Sequence, residues 1–465
     1  MAERYDVAII GAGPGGYAAA IRAAQLGFKT ICIDKRNTLG GTCLNVGCIP
    51  SKTLLHATGL FSILQREGSL NAIECSQVKM DFPKLMARKR EVVKGLVDGV
   101  AGLFKKNGVV SLQGEASFID PHRLRVSSGS QTSEIEADSI ILATGSEPIA
   151  LPGLPFNEKN VVSSTGALSF LQAPKRLLVI GGGVIGVELA SVYNRLGSSV
   201  TIIEMLDRLC PAMEVALTKQ LLQILKKQGI QFKLSSKVVN AVVQPEEVIL
   251  TVESEGQLQN VSGDSVLVAV GRRPYSQGLG LDKIGITVDR RGFVPVDGFF
   301  RTQQPHIFAI GDLIDGVMLA HRATEEGVVV IEWLKGERSN VNYLAIPNVV
   351  YTDPEVASVG LTEQEAKETG RSLLVGTSFF RGNSRARCTG ETEGFVKVIG
   401  DRETGRLMGM HIIGTHASEL IAEGMLAMQL GATLAEIGQA VQAHPTLSEA
   451  IKEAALQALG RPINS

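Results

Sequence analysis

The chain has no surplus of either charge. Its 46 Lys and Arg face 47 Asp and Glu, leaving a formal net charge of −1. No nucleic-acid partner is expected, because such affinity rests on many cationic contacts to phosphate. No apolar run reaches the roughly 18–20 residues of a membrane-spanning helix. The opening MAERYDVAII passes directly into a strand pattern and lacks the basic, apolar and cleavage regions of a secretory leader. A cytoplasmic protein without a membrane span is the expectation. Cysteine is scarce, with six in 465 residues, which excludes a disulfide-stapled scaffold. Only Cys43 and Cys48 stand close together, and Cys32, Cys75, Cys210 and Cys388 supply no second pair to complete a zinc set. No metal is expected. Two readings remain for the close pair: a dithiol that opens and closes during work, or two buried thiols packed as small hydrophobes.

Glycine, by contrast, is abundant, with 51 residues, and its placement is informative. Residues 5–10 (YDVAII) read as a buried parallel strand. Gly11, Gly13 and Gly16 follow, then an Ala-rich helix ending near Gly27 and a second strand, 30–33, closed by Asp34. This is a dinucleotide fingerprint in its proper setting. The glycines allow a tight turn and a close backbone approach to a pyrophosphate, and the acid meets a ribose diol. The pattern returns 170 positions later: strand 177–180, Gly181, Gly183 and Gly186, a helix ending before Gly197, and a strand ending at Glu204. One such fingerprint is weak evidence. Two in register imply two nucleotide-binding domains. Both acids favour an unphosphorylated ribose, so the second site is expected to take NAD rather than NADP, with Arg208 the first basic residue after Glu204. Strands 140–145 and 266–271 each stop at a glycine, Gly145 and Gly271. There the alternatives are a close approach to ligand or backbone and an ordinary exit into a turn.

At about 100–200 residues per domain, the length suggests two to four domains. Residues 80–106 have a charged helical period that predicts two surface helices, and 112–137 alternates like a small antiparallel excursion. The run 304–312 (QPHIFAIGD) is a buried strand whose Asp312 either meets sugar hydroxyls or caps the following helix. That helix is expected from the MLAHRATEEG stretch through Trp333. From Asn348 short strands, then helices over 417–430 and 434–440, indicate an α+β unit without a fingerprint. The expected organisation is therefore α/β: two Rossmann-like dinucleotide-binding domains (1–150, FAD, first part; 151–275, NAD), a central segment (276–345) returning to the FAD side, and a C-terminal α+β interface domain (346–465).

The strings GGTCLNVGCIPSK, ATGSEP, GGGVIGVELA, GRRP, IFAIGD, MLAHRATEEG, YTDPEVASVG and HPTLSE span nearly the whole chain. With them the sequence resembles the pyridine nucleotide–disulfide oxidoreductases, and within that family the branch that oxidises dihydrolipoamide. Ser51 and Leu447 differ from the glutathione-reducing branch, and the C-terminus RPINS lacks the cysteine pair of the mercuric-reducing one. NSRA at 383–386 fits the dihydrolipoamide branch, whereas Asp34 stands where relatives often carry Glu.

The resemblance implies FAD at the first fingerprint and NAD at the second, with a redox-active disulfide between Cys43, the interchange thiol, and Cys48, the thiol beside the flavin. His444 is implied as the acid–base group, since an imidazole titrates near neutrality. Glu449 is implied to orient His444. Its rival reading is a capping box with Thr446, and one carboxylate is not expected to do both. Lys52 is implied near the flavin, paired with Glu188 on the second fingerprint helix. Further cofactor contacts are implied from Lys35, Gly41, Thr42, Gly114, Thr144, Ser146, Met318, Leu319, Ala320, His321 and Val238, besides Asp312, Gly145, Gly271 and the fingerprint residues. A homodimer is implied, acting on dihydrolipoamide or a lipoyl protein and docking on the acyltransferase core or lipoyl carrier of a 2-oxoacid dehydrogenase or glycine cleavage complex. The rival readings are another disulfide reductase, glutathione reductase-like, and a non-catalytic nucleotide-binding protein on the same fold.

Overall fold

The apolar run of the first strand, Glu3–Ile10, is wanted on both sides and takes the middle of a sheet. In this computed structural model, which describes residues 3–66 and 77–464, it pairs in parallel with Thr30–Asp34 and with Gln131–Leu142. Cys75 lies outside the described residues. Ile10 stands level with Ile33 on one side and Leu142 on the other, so three strand ends open together above the first glycine turn. The same layout recurs one fingerprint later, where Ile180 is level with Ile203 and Val268. In an open parallel sheet such an edge is where a ligand binds.

The turns are superimposable in detail. Gly11 and Gly181 both have φ +107°, and a Cβ would lie 2.3 Å from the Ala143 carbonyl oxygen in one and 2.4 Å from that of Ala269 in the other. The backbone pressed against the fingerprint thus belongs to the alanines. Gly145 (φ +72°) and Gly271 (φ +128°) instead satisfy a left-handed bend. Gly16 serves packing: a Cβ there would stand 1.7 Å from the Gly11 carbonyl oxygen, and its twin Gly186 repeats this with Gly181 at 2.1 Å. Gly16→Ala is expected to cost about 1–3 kcal/mol through overpacking, seen as an earlier urea midpoint; an unchanged midpoint would show that the turn yields to a methyl group.

Strands Glu115–Asp120 and Arg123–Ser128 form the expected antiparallel excursion onto Gln131–Leu142. The central segment returns to the first sheet, where Ile307–Ala309 pairs with 140–142. Its helix, Ala320–Leu334, crosses Pro14–Gln25 so closely that a Cβ on Gly327 would meet the Gly15 carbonyl at 2.5 Å. The second unit adds an antiparallel meander, Ser236–Val243, Val248–Ser254 and Gln257–Gly263. The C-terminal unit is a five-stranded antiparallel sheet, followed by the helices Ala417–Leu430, Leu434–Gln439 and Glu449–Ala458.

One expectation is corrected. Residues 80–106 form one helix, Phe82–Asn107, and not two. Asp81 caps it by accepting from the Lys84 N–H at 3.0 Å, and Gly108 ends it at φ +72°. Its interior glycines leave the helix unbroken because Leu85, Met86, Val100 and Phe104 anchor both halves. Among the described residues no helix is long and apolar enough to cross a membrane.

Candidate active site

A cleft of about 1410 Å³ is lined by both glycine turns and both close cysteines. The helices Pro14–Gln25 and Val184–Arg195 begin after Gly13 and Gly183, and no side chain caps either one. Their first-turn N–H groups therefore face the cleft as anion cradles. Asp34 Oδ2 accepts from the Ala12 N–H at 2.7 Å and its Oδ1 from the Arg36 N–H at 2.8 Å. Glu204 does the same for Gly182 and Leu206, at 2.6 and 2.7 Å. Each acid braces its own turn and keeps lone pairs for a diol. The two cradles, each with an acid one strand away, fit the pyrophosphate and ribose of FAD and of NAD.

The segment GGTCLNVGCIPSK folds as two helices broken at Gly47: Gly41–Val46 and Cys48–Arg66. Gly41 (φ +56°) brings the first of these onto the fingerprint, since a Cβ there would stand 2.5 Å from Gly13 Cα. The reversal at Gly47 returns the chain so that Cys48 starts a helix within hydrogen-bonding reach of Cys43. Pro50 falls in the first turn, where its missing N–H costs nothing. Both cysteines are free thiols. The Cys43 thiol donates to Cys48, which pushes Cys43 up, with burial adding to the effect. The same bond, aided by the Lys52 charge, outweighs burial and lowers Cys48 to about 7. Two chemically identical side chains are thereby made unequal, Cys48 the more acidic and Cys43 its proton donor. Their mutual hydrogen bond on the cleft wall beside Lys52 favours a working dithiol over two inert packed thiols.

Lys52 Nζ donates to both oxygens of Glu188, at 2.8 and 3.0 Å, and the carboxylate is 4 % exposed. Opposite, Asp312 accepts from the Ser146 hydroxyl at 2.5 Å, and Ser146 Oγ accepts from Arg272 Nε at 2.7 Å. Asp312 lines the cleft instead of capping the helix, which starts after Leu319. Below it, Glu326 accepts from the Gly311 N–H at 2.7 Å and from Arg322 Nε at 2.7 Å, while Arg322 also donates to the Asp315 and Val317 carbonyls. This buried pair clamps the loop bearing Met318, Leu319 and Ala320 to the cleft wall. His321 donates through Nε2 to the Pro347 carbonyl at 2.8 Å. The Lys35 ammonium lies 3.8 Å from the Tyr275 ring centroid, and Thr144 Oγ donates to the Tyr275 carbonyl at 2.6 Å. Thr42, Gly114, Gly145 and Gly271 complete the lining from the expected set.

Five expected residues lie elsewhere. Gly16 and Gly186 are packed behind their turns. Val238 sits in the strand Ser236–Val243 against the second unit's core, away from the cleft lining. His444 and Glu449 border a separate, smaller hollow with Phe379, Arg381 and Asn383. There the His444 Nδ1–H donates to Glu449 Oε1 at 2.9 Å, and Glu449 Oε2 accepts from the Thr446 N–H at 2.9 Å. The expectation that one carboxylate serves one task is corrected: its two oxygens divide the work. Those two bonds hold Glu449 below the usual carboxylate range, the Thr446 N–H contributing first. Because a carboxylate only accepts, Nδ1 carries the proton and Nε2 is free to take one. Arg272 and Tyr351 also lie on the cleft, and in sequence each carries no signal beyond the strings GRRP and YTDPEVASVG.

Known proteins resemble the chain over nearly its whole length. Residues 5–327 match the model of the pyridine nucleotide-disulphide oxidoreductases, and 346–455 match the dimerisation domain of the same group. A dihydrolipoamide dehydrogenase of Chaetomium thermophilum is 50% identical over 464 residues, covering 99% of this chain and 92% of that one. A mitochondrial dihydrolipoyl dehydrogenase of Schizosaccharomyces pombe is 47% identical over 458 residues, covering 98% and 90%. Among solved structures, LpdA from Mycobacterium tuberculosis superimposes with a TM-score of 0.91 at 28% identity, covering 98% of this chain and 99% of that one. With a polarised dithiol between two nucleotide cradles, and a family model over most of its length, the chain belongs to the pyridine nucleotide-disulphide oxidoreductase family.

Proposed function

We propose that the protein oxidises dihydrolipoamide to lipoamide and reduces NAD to NADH, using FAD and a Cys43–Cys48 disulfide. The observation that carries this is the close Cys43–Cys48 pair on the wall of a cleft joining two nucleotide cradles. FAD would be held at the first cradle by the Pro14–Gln25 helix start and Asp34, where it would supply the electron acceptor for the dithiol, and NAD would be held at the second by the Val184–Arg195 helix start and Glu204, where it would supply the final hydride acceptor.

The chain's own part is sulfur exchange. A substrate thiolate attacks Cys43 Sγ of the disulfide, and Cys48 leaves as the more acidic, better-stabilised sulfur. The second substrate thiolate then attacks the substrate sulfur bonded to Cys43, closing the lipoamide disulfide and releasing Cys43, which takes up a proton. Two substrate S–H bonds are lost and one S–S bond moves from protein to substrate. His444 Nε2 takes the two substrate protons in turn, passing one to the departing Cys43 and keeping the other, while Glu449 fixes the Nδ1–H tautomer. Lys52, held by Glu188, supplies positive charge beside the cofactor site and Cys48.

His444 belongs to a hollow distinct from the cleft. The reading therefore takes a homodimer in which each C-terminal unit, Phe379 and Arg381 included, offers His444 to the other copy's Cys43. NAD is preferred to NADP because Met205 and Leu206 flank Glu204 on the cleft wall without a cation. A lipoyl protein of a 2-oxoacid dehydrogenase or glycine cleavage complex is the proposed partner. The proposed compartment is the cytoplasm, although the Schizosaccharomyces pombe relative is mitochondrial by name.

Steady-state assays decide between branches. Turnover with dihydrolipoamide and NAD is expected to exceed turnover with glutathione disulfide and NADPH by at least about 10²-fold, the scale of discrimination a built site reaches. Equal or reversed rates would assign the chain to another disulfide reductase, and no turnover with either to a non-catalytic binding role.

A further inference from the structure

Tyr351 takes no part in the mechanism above, yet it reaches the cleft from the C-terminal unit, directly after the strand Asn348–Val350. It meets the Lys52–Glu188 pair twice. Its backbone N–H donates to Glu188 Oε1 at 3.0 Å, and its ring centroid lies 4.6 Å from the Lys52 ammonium. We propose that the Tyr351 ring is a positioning element that holds the Lys52 ammonium beside Cys48 and so keeps that sulfur a thiolate, an inference that rests on the dithiol reading for its catalytic meaning.

Lysine carries a compact charge on a flexible stem, and the Lys52 side chain is 32% exposed while Glu188 is 4% exposed. Glu188 is pinned by the Tyr351 backbone, whatever side chain stands there. Without the ring the ammonium stays paired with Glu188 but can turn about the carboxylate, away from Cys48 and toward water. Groups facing Cys48 come from every neighbouring element: Cys43 from Gly41–Val46, Lys52 on its own helix, Glu188 from Val184–Arg195, Tyr17 from Pro14–Gln25, Arg272 from Arg272–Pro274 and the Tyr351 phenol itself. Of these, the Cys43 thiol and Lys52 favour the thiolate and Glu188 opposes it. A ring that fixes Lys52 on the Cys48 side of the pair therefore sets how far the ammonium offsets the Glu188 charge at the sulfur, with Arg272 a second cation there.

The test uses holoenzyme carrying Cys43→Ser, whose hydroxyl keeps the hydrogen bond and leaves Cys48 the sole thiol of the pair. Thiolate absorbance in the ultraviolet is titrated against pH, with a Cys43→Ser, Cys48→Ser double variant subtracted. Tyr351→Leu, which keeps the backbone N–H and removes the ring, is expected to raise the Cys48 midpoint by roughly 0.5–1 pH unit, the scale of a partly desolvated cation–π contact. Tyr351→Phe, which keeps the ring, is expected to titrate like its parent. An unshifted Tyr351→Leu, or a Tyr351→Phe shifted as far, overturns the proposal. The long-wavelength band of a thiolate against flavin separates the two ideas. Its absence, with the ultraviolet step still dependent on the ring, speaks against the flavin reading and upholds the role of Tyr351.

Discussion

Cys48→Ser is expected to lower turnover of dihydrolipoamide with NAD by on the order of 10³-fold or more, the scale seen when a covalent participant is removed, while the thermal midpoint barely moves. Serine occupies nearly the same volume and can still hydrogen-bond to Cys43 at the start of the Cys48–Arg66 helix. What it cannot form is an exchangeable bond to sulfur. The loss is therefore chemical, and a normal melting curve beside it excludes a folding defect. Cys32 and Cys210 provide the control. Both are buried, and burial pushes both thiols up, to about 12 for Cys210, so neither supplies a thiolate at neutral pH. Serine at either is expected to leave kcat within a few-fold, after any small stability loss is allowed for. The pH dependence has a definite sign. Cys48 sits near 7 in the reduced pair, so its thiolate fraction is full well above that value and falls as the pH drops through it. The thiolate signal of the two-electron-reduced enzyme should vanish on acidification along that curve. Full activity in Cys48→Ser would end the dithiol mechanism.

Much of the architecture was legible because it rests on local rules. The offset of 170 residues between fingerprints reappears as matching registers, Ile10 with Ile33 and Ile180 with Ile203, because a glycine at φ +107° admits no other residue and so marks the sequence. Cys43 and Cys48 are likewise visible, since four intervening residues ending in the glycine between a short helix and a long one bring their sulfurs within hydrogen-bonding reach. What escaped reading depends on distant partners. Arg272 gains its place only because Ser146 and Asp312, far apart in the chain, converge on it. The Arg322–Glu326 clamp looks in sequence like any exposed helical pair four residues apart. Only the fold buries it and turns its free donors onto the loop below. The helix Phe82–Asn107 was divided in two because its glycines weaken the local signal, whereas its anchoring contacts are tertiary. Glu449 was given a choice between two tasks because a sequence does not record which oxygen faces which donor.

His444→Gln is expected to reduce dihydrolipoamide oxidation by about 10²–10⁴-fold, the usual worth of a positioned acid–base group. Transfer from NADH to an artificial dye, which needs no proton removed from a thiol, should continue. Glu449→Gln is expected to cost less, about tenfold, because an amide oxygen can still accept from Nδ1–H while its NH₂ then opposes the Thr446 N–H. The site's composition admits a stricter test. If each centre takes Cys43 and Cys48 from one copy and His444 from the other, a dimer of one Cys48→Ser chain and one His444→Gln chain has one centre with both defects and one with neither. Two inactive preparations, dissociated together and reassociated at equal concentration, should then recover about a quarter of wild-type activity, since random pairing makes half the dimers hybrid and each hybrid has one intact centre. A centre built within a single chain predicts no recovery, because every copy then carries one defect in its own site. Recovery near a quarter can arise only if the hollow around His444 in one chain closes over the dithiol of another.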